Sequence, residues 1–384
     1  MKDFNFRTLT RIQYGIGISQ KAVELCRQIG GTKAMLLIDK FLLENEAAKK
    51  IISSFDEAGM PYELYTDIVP EPPAKDVDNV VAFMRESGCD VCVACGGGST
   101  IDTAKAICML QTNPGSIREY LFGGTRKPEK PGVPLICIPT TAGTGAEVSA
   151  AAVIDDTEQQ KKLSVTDDMI IPPYALLDPT LLMSVPKKVA AATGIDALTH
   201  AIESFVGQNA NPVGDAYNLY AMKLIAENIR KAVLTDDIEA KGSMLVAAYM
   251  AGVGILNCKV AVVHGIAQSI GAYAHVPHGQ ANALILPHSL RKSYMGNPAK
   301  FKEVARILGE DVEGLPDLEA AKKAADAIDK LEDDLGMPRH LEEVGVTREM
   351  FPLLIADTMK YRLLSNSPVE VDEKYVEEVL NEAF

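Results

Sequence analysis

The chain has 384 residues, of which 47% are hydrophobic and 23% are charged. This length exceeds what one hydrophobic core usually supports, so we expect two domains. The composition is that of a folded globular enzyme and excludes wholesale disorder. A net charge of −14, with no cluster of lysines or arginines, argues against unaided nucleic-acid binding, because phosphates require a basic surface.

The N-terminal sequence, MKDFNFRTLTRIQYG, contains no apolar stretch of signal-peptide length. No run of about 18 apolar residues occurs elsewhere, so no membrane span and no membrane partner are expected. The sequence therefore predicts a cytoplasmic protein.

The cysteines raise the question of a metal or iron–sulfur cluster, because Cys89, Cys92 and Cys95 are evenly spaced. Residues 90–95 nevertheless form a short apolar run that ends at glycines, which is typical of a buried strand. Side chains alternate between the two faces of a strand, so Cys92 and Cys95 would point to opposite sides. We therefore interpret these cysteines as reduced core thiols.

The first half of the chain alternates short apolar runs with helical stretches. The predicted strands are Lys33–Asp39, Tyr62–Tyr65, Asp90–Cys95 and Leu135–Ile138, and the predicted helices are Ala47–Ala58, Ala74–Ser87 and Ser99–Leu110. Strands that alternate with helices indicate right-handed βαβ units around a parallel sheet.

From residue 186 onward the pattern is almost entirely helical. Pro186, Pro212, Pro287 and Pro298 are expected at helix boundaries, because proline cannot continue a helix without loss of a hydrogen bond. The boundary between domains is therefore placed near Pro186, which predicts an α/β domain at residues 1–185 and an all-α domain at residues 186–384.

A glycine run, Gly96-Gly97-Gly98-Ser99, stands directly after a predicted strand and before a predicted helix. Such a turn lets backbone N–H groups approach a phosphate, with the helix dipole and a Ser99 cap in support, although it also fits a simple tight turn. Asp39 ends an earlier strand, where a carboxylate binds both hydroxyls of an adenosine ribose and repels a 2′-phosphate. NAD is therefore favoured over NADP.

A second loop of small residues, PTTAGTG at positions 139–145, follows the strand Leu135–Ile138. It offers hydroxyl and amide groups at the carboxyl edge of the predicted sheet. Open α/β folds bind their ligands at this edge, so the loop is a second candidate element of a nucleotide site.

Asp196 and His200 are four residues apart in a predicted helix, so their side chains share one face. Such a pair occurs by chance and also forms two-ligand metal sites. Among the other histidines, His264 lies in a helical stretch and His278 opens a Pro-His-Gly turn. One carboxylate with three imidazoles suits Fe(II), Zn(II) or a similar ion.

Several motifs together resemble the iron-containing, group III alcohol dehydrogenases, and the resemblance covers essentially the whole chain. In order, the motifs are YGIG at 14–17, GGGSTIDTAK at 96–105, PTTAGTGAE at 139–147, Asp-Pro at 178–179, ATGIDALTHAIES at 192–204 and PHGQANALILPH at 277–288. The resemblance implies an N-terminal dinucleotide-binding domain with a parallel sheet, an all-α C-terminal domain, and a metal and active site in the cleft between them.

The resemblance also implies residues and chemistry. It implies metal ligands at Asp196, His200, His264 and His278, and cofactor contacts at Asp39, Gly97, Gly98, Ser99, Thr140, Thr141, Thr144 and Lys162. NAD would be the cofactor and Fe²⁺ the metal, with Zn²⁺ as the alternative. The expected reaction is hydride transfer between the nicotinamide and a metal-bound short-chain alcohol or aldehyde, in a homodimer or larger homo-oligomer.

The chain departs from the family's usual pattern on both sides of His264. A second histidine usually follows four residues later, and here Gln268 stands there, which carries no proton at neutral pH. We therefore hypothesise that His275 substitutes as a catalytic proton carrier. A Gly-Leu-Gly segment common before His264 is replaced by Lys-Val-Ala from Lys259, whose side chain either extends to solvent or recruits an anionic substrate.

Three other functions stay open on the sequence alone. A dehydroquinate-synthase-like lyase shares the architecture and uses NAD transiently, although no dense set of basic residues surrounds the ligand motifs. A glycerol dehydrogenase-like polyol oxidoreductase is a close relative. A metal-free binding protein that has lost activity would fit Gln268, whereas the intact ligand positions argue against it.

Overall fold

A computed structural model describes residues 3–69, 72–158 and 161–384. These residues separate into two compact units. One unit is Thr8–Val185, and the other combines Pro186–Phe384 with the N-terminal segment that ends at Arg7. The first is an α/β unit, and the second is built almost entirely from helices.

The described part of the α/β unit contains eight strands. They are β1 (Arg11–Tyr14), β2 (Ala34–Ile38), β3 (Tyr62–Tyr65), β4 (Val91–Gly96), β5 (Leu135–Pro139), β6 (Ala151–Asp156), β7 (Lys161–Thr166) and β8 (Tyr174–Leu177). Six of them form a parallel sheet in the order β1-β8-β5-β4-β2-β3, while β6 and β7 form a separate antiparallel pair. The predicted parallel sheet is confirmed.

Four helices accompany the strands in the described part of this unit, of which the last three were predicted and the first was not. They are α1 (Ala22–Gln28), α2 (Glu46–Ala58), α3 (Ala74–Ser87) and α4 (Gly98–Thr112). α2 illustrates the local causes: the Asn45 side chain accepts hydrogen bonds from two N–H groups of the first turn, and Gly59 ends the helix at a φ of 61°. Its apolar face buries Ala48, Ile51 and Phe55.

The three central strands position the carboxyl edge of the sheet. Every residue of β2, β4 and β5 is buried, which explains their near-continuous apolar sequences. Ile38, Cys95 and Ile138 are in register across these strands. The residues that follow them in the chain therefore lie side by side at one edge.

All seven cysteines lie in described residues, where they are buried and unbridged. Cys92 and Cys95 are both inside β4, as the strand interpretation required. Burial raises the pKa of the Cys95 thiol. The interpretation of these residues as core thiols is confirmed.

Nine helices make up the described part of the second unit. They are α5 (Lys187–Val206), α6 (Pro212–Leu234), α7 (Ile238–Cys258), α8 (Val262–Ala274), α9 (His278–Ser293), α10 (Pro298–Ile307), α11 (Asp317–Leu335), α12 (Phe351–Thr358) and α13 (Glu373–Ala383). α9 packs against α5, α8, α11 and α13, and so has a central position in this unit.

Three of the four prolines expected at helix boundaries are found there. Pro186 is the N-cap of α5, and Pro212 and Pro298 are the first residues of α6 and α10. The prediction for Pro287 is wrong, because this residue lies buried inside α9. Tertiary packing of α9 overrides the local preference, so the helix continues despite the missing N–H.

No single helix in the described ranges has the length and apolar character needed to cross a membrane. The pair α7 and α8 passes that test only jointly, across a bend of 105°.

Candidate functional site

The centre of the candidate site is a pair of side chains on α5. Asp196 and His200 lie one helical turn apart and are both buried. His200 Nε2 is 3.8 Å from Asp196 Oδ1. The other ring nitrogen of His200, Nδ1, is buried without a hydrogen-bond partner among the described residues. The two side chains therefore face a common point, as their spacing predicted.

Two further imidazoles approach the same carboxylate oxygen from α8 and α9. Nε2 of His264 and Nε2 of His278 each lie 3.7 Å from Asp196 Oδ1. His264 is buried in the first turn of α8, whereas the side chain of His278 is 47% exposed. His278 is the first residue of α9, so the predicted Pro-His-Gly turn is in fact the start of a helix.

The donor atoms fit a divalent metal ion. The ligand atoms of Asp196, His200 and His264 lie within 4.8 Å of one another, and His278 joins them through its contact with Asp196. One anionic oxygen with imidazole nitrogens is a donor set suited to Fe(II) or Zn(II). The arrangement can hold a metal ion, and the exposed side of this site is the one next to His278.

A glycine permits α9 to approach α5 at this point. A Cβ atom on Gly279 would lie 2.4 Å from the main-chain oxygen of Ala192, closer than a real contact allows. The same Cβ would lie 3.3 Å from Asp196 Cβ. Gly279 therefore permits the close helix contact that brings His278 to Asp196.

Two polar residues around the donor set were not assigned to it by the sequence. Glu203, on α5, accepts a hydrogen bond from Nδ1 of His264 at 2.6 Å. Asn282, on α9, donates its side-chain amide to Asp196 Oδ1 at 2.7 Å. Asn282 follows His278 by one helical turn, and this spacing is the signal that could have identified it.

Electrostatics favour the metal-binding protonation states of two of these residues, Asp196 and His200. Burial raises the pKa of Asp196, but the charges of His200, His278 and His264 outweigh it, so that pKa lies below its ordinary value. Burial lowers the pKa of His200 to about 4, although the Asp196 charge opposes it. At neutral pH, Asp196 is therefore ionised and the His200 imidazole is neutral.

The residues singled out as departures from the family pattern lie around α8. Gln268 is half-buried on α8, one turn after His264. His275 is the exposed residue that ends this helix, in the left-handed conformation, and it lies outside the cluster of Asp196, His200 and His264. Lys259 ends α7, and its Nζ donates to the Leu256 main-chain oxygen at 3.0 Å.

The nucleotide candidates lie in the α/β unit, at the carboxyl ends of β2, β4 and β5. The N–H of Asp39 donates to the Cys95 oxygen at 3.2 Å, and the N–H of Thr140 donates to the Gly96 oxygen at 3.1 Å. The Asp39 carboxylate accepts a hydrogen bond from the N–H of Phe41 at 3.1 Å. The structure thus brings Asp39 and the two small-residue loops to one edge of the sheet.

The glycine loop packs closely on the threonine loop. A Cβ atom on Gly98 would lie 3.0 Å from Thr144 Cγ2, and one on Gly97 would lie 3.6 Å from the Thr141 side chain. Gly97, rather than Ser99, is the N-cap of α4, so the expected Ser99 cap is wrong. A residue with no side chain lets an anion approach the N-terminus of this helix closely.

Lys162 stands apart from these loops in secondary structure. It lies on β7 and pairs in register with Asp155 of β6, so it belongs to the antiparallel pair and not to the parallel sheet. The remaining predicted cofactor contact, Ser99, is in the first turn of α4.

Comparisons with known proteins agree along the whole chain. Residues 10–179 match the family model described as iron-containing alcohol dehydrogenase, and residues 190–384 match the model of the C-terminal part of the Fe-containing alcohol dehydrogenase family. The chain is 35% identical over 371 residues to lactaldehyde reductase of Escherichia coli strain K12, with 97% of each chain covered.

Solved structures show the same fold. A crystal structure of 1,3-propanediol oxidoreductase has a TM-score of 0.96 at 34% identity, with 100% of both chains covered. Sulfoacetaldehyde reductase from Bifidobacterium kashiwanohense, solved in complex with NAD+, has a TM-score of 0.89 at 28% identity, with 99% of this chain and 98% of that chain covered. With the Asp–His cluster and both family models in place, this chain belongs to the iron-containing alcohol dehydrogenase family.

Proposed function

We propose that this protein is an NAD(H)-linked alcohol dehydrogenase and aldehyde reductase for short-chain substrates, with Fe²⁺ held by Asp196, His200, His264 and His278. The observation that carries the proposal is the convergence of three imidazole Nε2 atoms, at 3.7 to 3.8 Å, on the single oxygen Oδ1 of Asp196. Zn²⁺ is the alternative metal, since the same donors suit it.

The side chains have separate tasks in this site. Asp196 supplies the negative charge and His200 a neutral nitrogen, while His264 supplies a second nitrogen from a buried position. His278 is the more exposed donor and so borders the side from which a substrate arrives. A divalent metal bound by these residues supplies Lewis-acid polarisation of the substrate oxygen.

For the cofactor, we propose NAD bound along the carboxyl edge of the parallel sheet. The proposed contacts are Asp39, Gly97, Gly98, Ser99, Thr140, Thr141, Thr144 and Lys162. The proposal is supported by the shared edge of β2, β4 and β5, by the side-chain-free start of α4, and by the NAD+ bound in the similar sulfoacetaldehyde reductase. NAD held by these residues would supply or accept the hydride.

We propose that His275 carries the substrate proton in place of the histidine that Gln268 replaces. Its exposed position three residues before His278 supports this role. An imidazole exchanges protons near neutral pH, which an amide does not. The pH profile of a His275→Gln variant tests the assignment.

The wider organisation is also part of the proposal. We propose domains at residues 1–185 and 186–384, supported by the separation of the chain into compact units near Pro186. A homodimer is supported by the edge strand β1, whose Ile12 and Tyr14 side chains are 39% and 49% exposed. A cytoplasmic location is supported by the seven unbridged cysteines.

The test is NADH oxidation by metal-reconstituted protein with a panel of short aldehydes, with and without a chelator. Turnover is expected to require metal and to disappear in His264→Ala. His340→Ala, which removes an exposed histidine, is the matched control and is expected to keep wild-type turnover. Turnover that survives the chelator would contradict the proposal, and a substrate cyclised without net NADH consumption would assign the lyase activity instead.

A further inference from the structure

The carboxylate of Glu203 binds three donors at the start of α8. Its Oε2 accepts hydrogen bonds from Nδ1 of His264 at 2.6 Å and from the N–H of Ala261 at 3.0 Å. Its Oε1 accepts one from the N–H of Val263 at 2.7 Å. Glu203 is only 3% exposed, so these contacts form away from water.

Two of these contacts complete the N-terminus of α8. The first N–H groups of a helix have no partner within the helix, and Ala261, the N-cap of α8, has no side chain that could accept them. The positive end of the helix dipole also favours a carboxylate at this position. Glu203 therefore supplies from α5 the cap that α8 lacks.

The third contact decides how His264 presents its ring. An imidazole that donates a proton from Nδ1 keeps the lone pair of Nε2 for a metal. Nε2 of His264 is the atom that lies 3.7 Å from Asp196 Oδ1. The Glu203 carboxylate thus selects the tautomer that turns a lone pair toward the donor set.

The turn before α8 is tied on its other side by a different residue. Nδ2 of Asn366 donates to the main-chain oxygens of Cys258, Lys259 and Val260 at 3.0, 3.1 and 3.0 Å. Lys259 has a φ of 68° and a ψ of 162°, a conformation that favours glycine. Asn366 therefore fixes the strained turn, while Glu203 fixes both the helix start and the histidine ring.

We propose that Glu203 is a positioning residue of the metal centre, which sets the tautomer and orientation of His264 and thereby the metal affinity. This inference rests on the metal site proposed above. Glu203 itself lies behind His264 and acts through that ring, since its contacts are with Nδ1 and the main chain.

A glutamine at this position cannot reproduce the three contacts. With its oxygen toward His264, its NH₂ group would meet the N–H of Val263, so that two donors face each other. In the reverse orientation, the NH₂ group would face Nδ1 of His264 and favour the tautomer with the proton on Nε2. Either outcome weakens the site, and charge loss removes part of the helix cap.

The experiment is a Co²⁺ titration of metal-free protein, followed by visible absorption, for the wild type, Glu203→Gln and Asn366→Ala. Glu203→Gln is expected to raise the Kd for Co²⁺ by about 10- to 100-fold and to shift the absorption bands of bound Co²⁺. Asn366→Ala loosens the same turn without touching His264, and is expected to lower thermal stability while it keeps the wild-type Kd and bands.

The inference would be overturned if Glu203→Gln bound Co²⁺ with the wild-type Kd and absorption bands. It would also be overturned if Asn366→Ala weakened Co²⁺ binding equally, because the effect would then come from the turn in general. If Glu203→Gln does not fold, Glu203→Asp is the variant to use, because its side chain is one methylene shorter and its carboxylate lies farther from His264. An unchanged affinity of Glu203→Asp for Co²⁺ would overturn the inference. Wild-type protein that binds no Co²⁺ would instead refute the metal site itself.

Discussion

Asn282 donates its side-chain amide to Asp196 Oδ1 at 2.7 Å, while its own carbonyl oxygen is buried without a partner among the described residues. The same Nδ2 lies 3.2 Å from His278 Nε2 and 3.4 Å from His264 Nε2. A buried polar atom without a hydrogen bond costs about 1–3 kcal/mol, so the amide lowers stability at one end while it orients the donor set at the other.

The substitution Asn282→Leu separates these two effects, because leucine has the same branched shape and number of side-chain heavy atoms and no polar atoms. We expect metal affinity to fall about 10-fold, since Asp196 loses the contact that orients it. The free energy of unfolding of the metal-free protein is expected to change by less than about 1 kcal/mol, because the unpartnered oxygen is removed as well. Metal titration and urea unfolding measure the two quantities. Unchanged affinity with a large loss of stability would show a purely structural role.

Asp39 gives a prediction about cofactor choice. Its carboxylate lies at the end of β2, beside the glycine loop, and its charge repels a 2′-phosphate. Asp39→Gly is therefore expected to raise kcat/KM for NADPH relative to NADH by about 10-fold or more. A 10-fold change corresponds to the removal of a charge repulsion of about 1.4 kcal/mol. Steady-state kinetics with both cofactors check this. Asp56→Gly, a change at another acidic residue in the same unit, is the control, and an unchanged ratio in Asp39→Gly would contradict the prediction.

Much of the α/β unit could be predicted from sequence, because its central strands are short, continuously apolar runs. β1 escaped this signal because all four of its residues are exposed, and β8 was not predicted although three of its four residues are buried. The antiparallel pair of β6 and β7 mixes polar and small residues, so its alternation is weak. These elements depend on neighbours that are distant in the chain.

The site divides in the same way. The Asp196–His200 pair is visible in the sequence, because one helical turn separates its members. Their proximity to His264 and His278 depends on how α8 and α9 pack on α5, and without the family resemblance no local spacing indicates it. Glu203 was missed as a site residue for a related reason, because the ring nitrogen that it contacts belongs to another helix. Asn282 was also missed, although its spacing of one turn from His278 on the same helix was a local signal.

Glu147, in the PTTAGTGAE motif, predicts a pH dependence of stability. Burial raises its pKa from 4.5 to about 7, and the Lys105 charge opposes this only in part. Between these values the folded protein binds more protons than the unfolded chain, so stability falls as pH rises through this window. The loss amounts to about 3 kcal/mol.

Glu147→Gln removes this titration, so its free energy of unfolding is expected to exceed that of the wild type by an amount that grows between pH 5 and pH 7. Urea unfolding of both proteins across this range measures the difference. Comparison with the wild type cancels the opposite contribution of His200, whose lowered pKa makes stability rise over part of the same range. A constant difference at all pH values would contradict the prediction.

Lys259 ends α7 in a backbone conformation that favours glycine, with a φ of 68°. Such backbone strain costs about 1–3 kcal/mol, and a glycine at this position would relieve it. Two effects oppose this gain: glycine gives the unfolded chain more conformational freedom, and the Lys259–Leu256 hydrogen bond is lost. Lys259→Gly is therefore expected to stabilise the protein by about 1 kcal/mol in urea unfolding. A fall in stability would show that the contacts of the lysine side chain outweigh the strain.

Lys259→Ala distinguishes the two roles considered for this lysine, because alanine keeps the strain and removes the charge. Nζ binds the end of α7, which favours a structural role. We therefore expect Lys259→Ala to lower stability and to leave KM unchanged for neutral and acidic aldehydes alike. Steady-state kinetics with matched aldehydes, one neutral and one carrying a carboxylate or sulfonate, measure this. A rise in KM confined to the anionic aldehyde would assign Lys259 to substrate recruitment, since only a lost attraction between charges separates the two substrates.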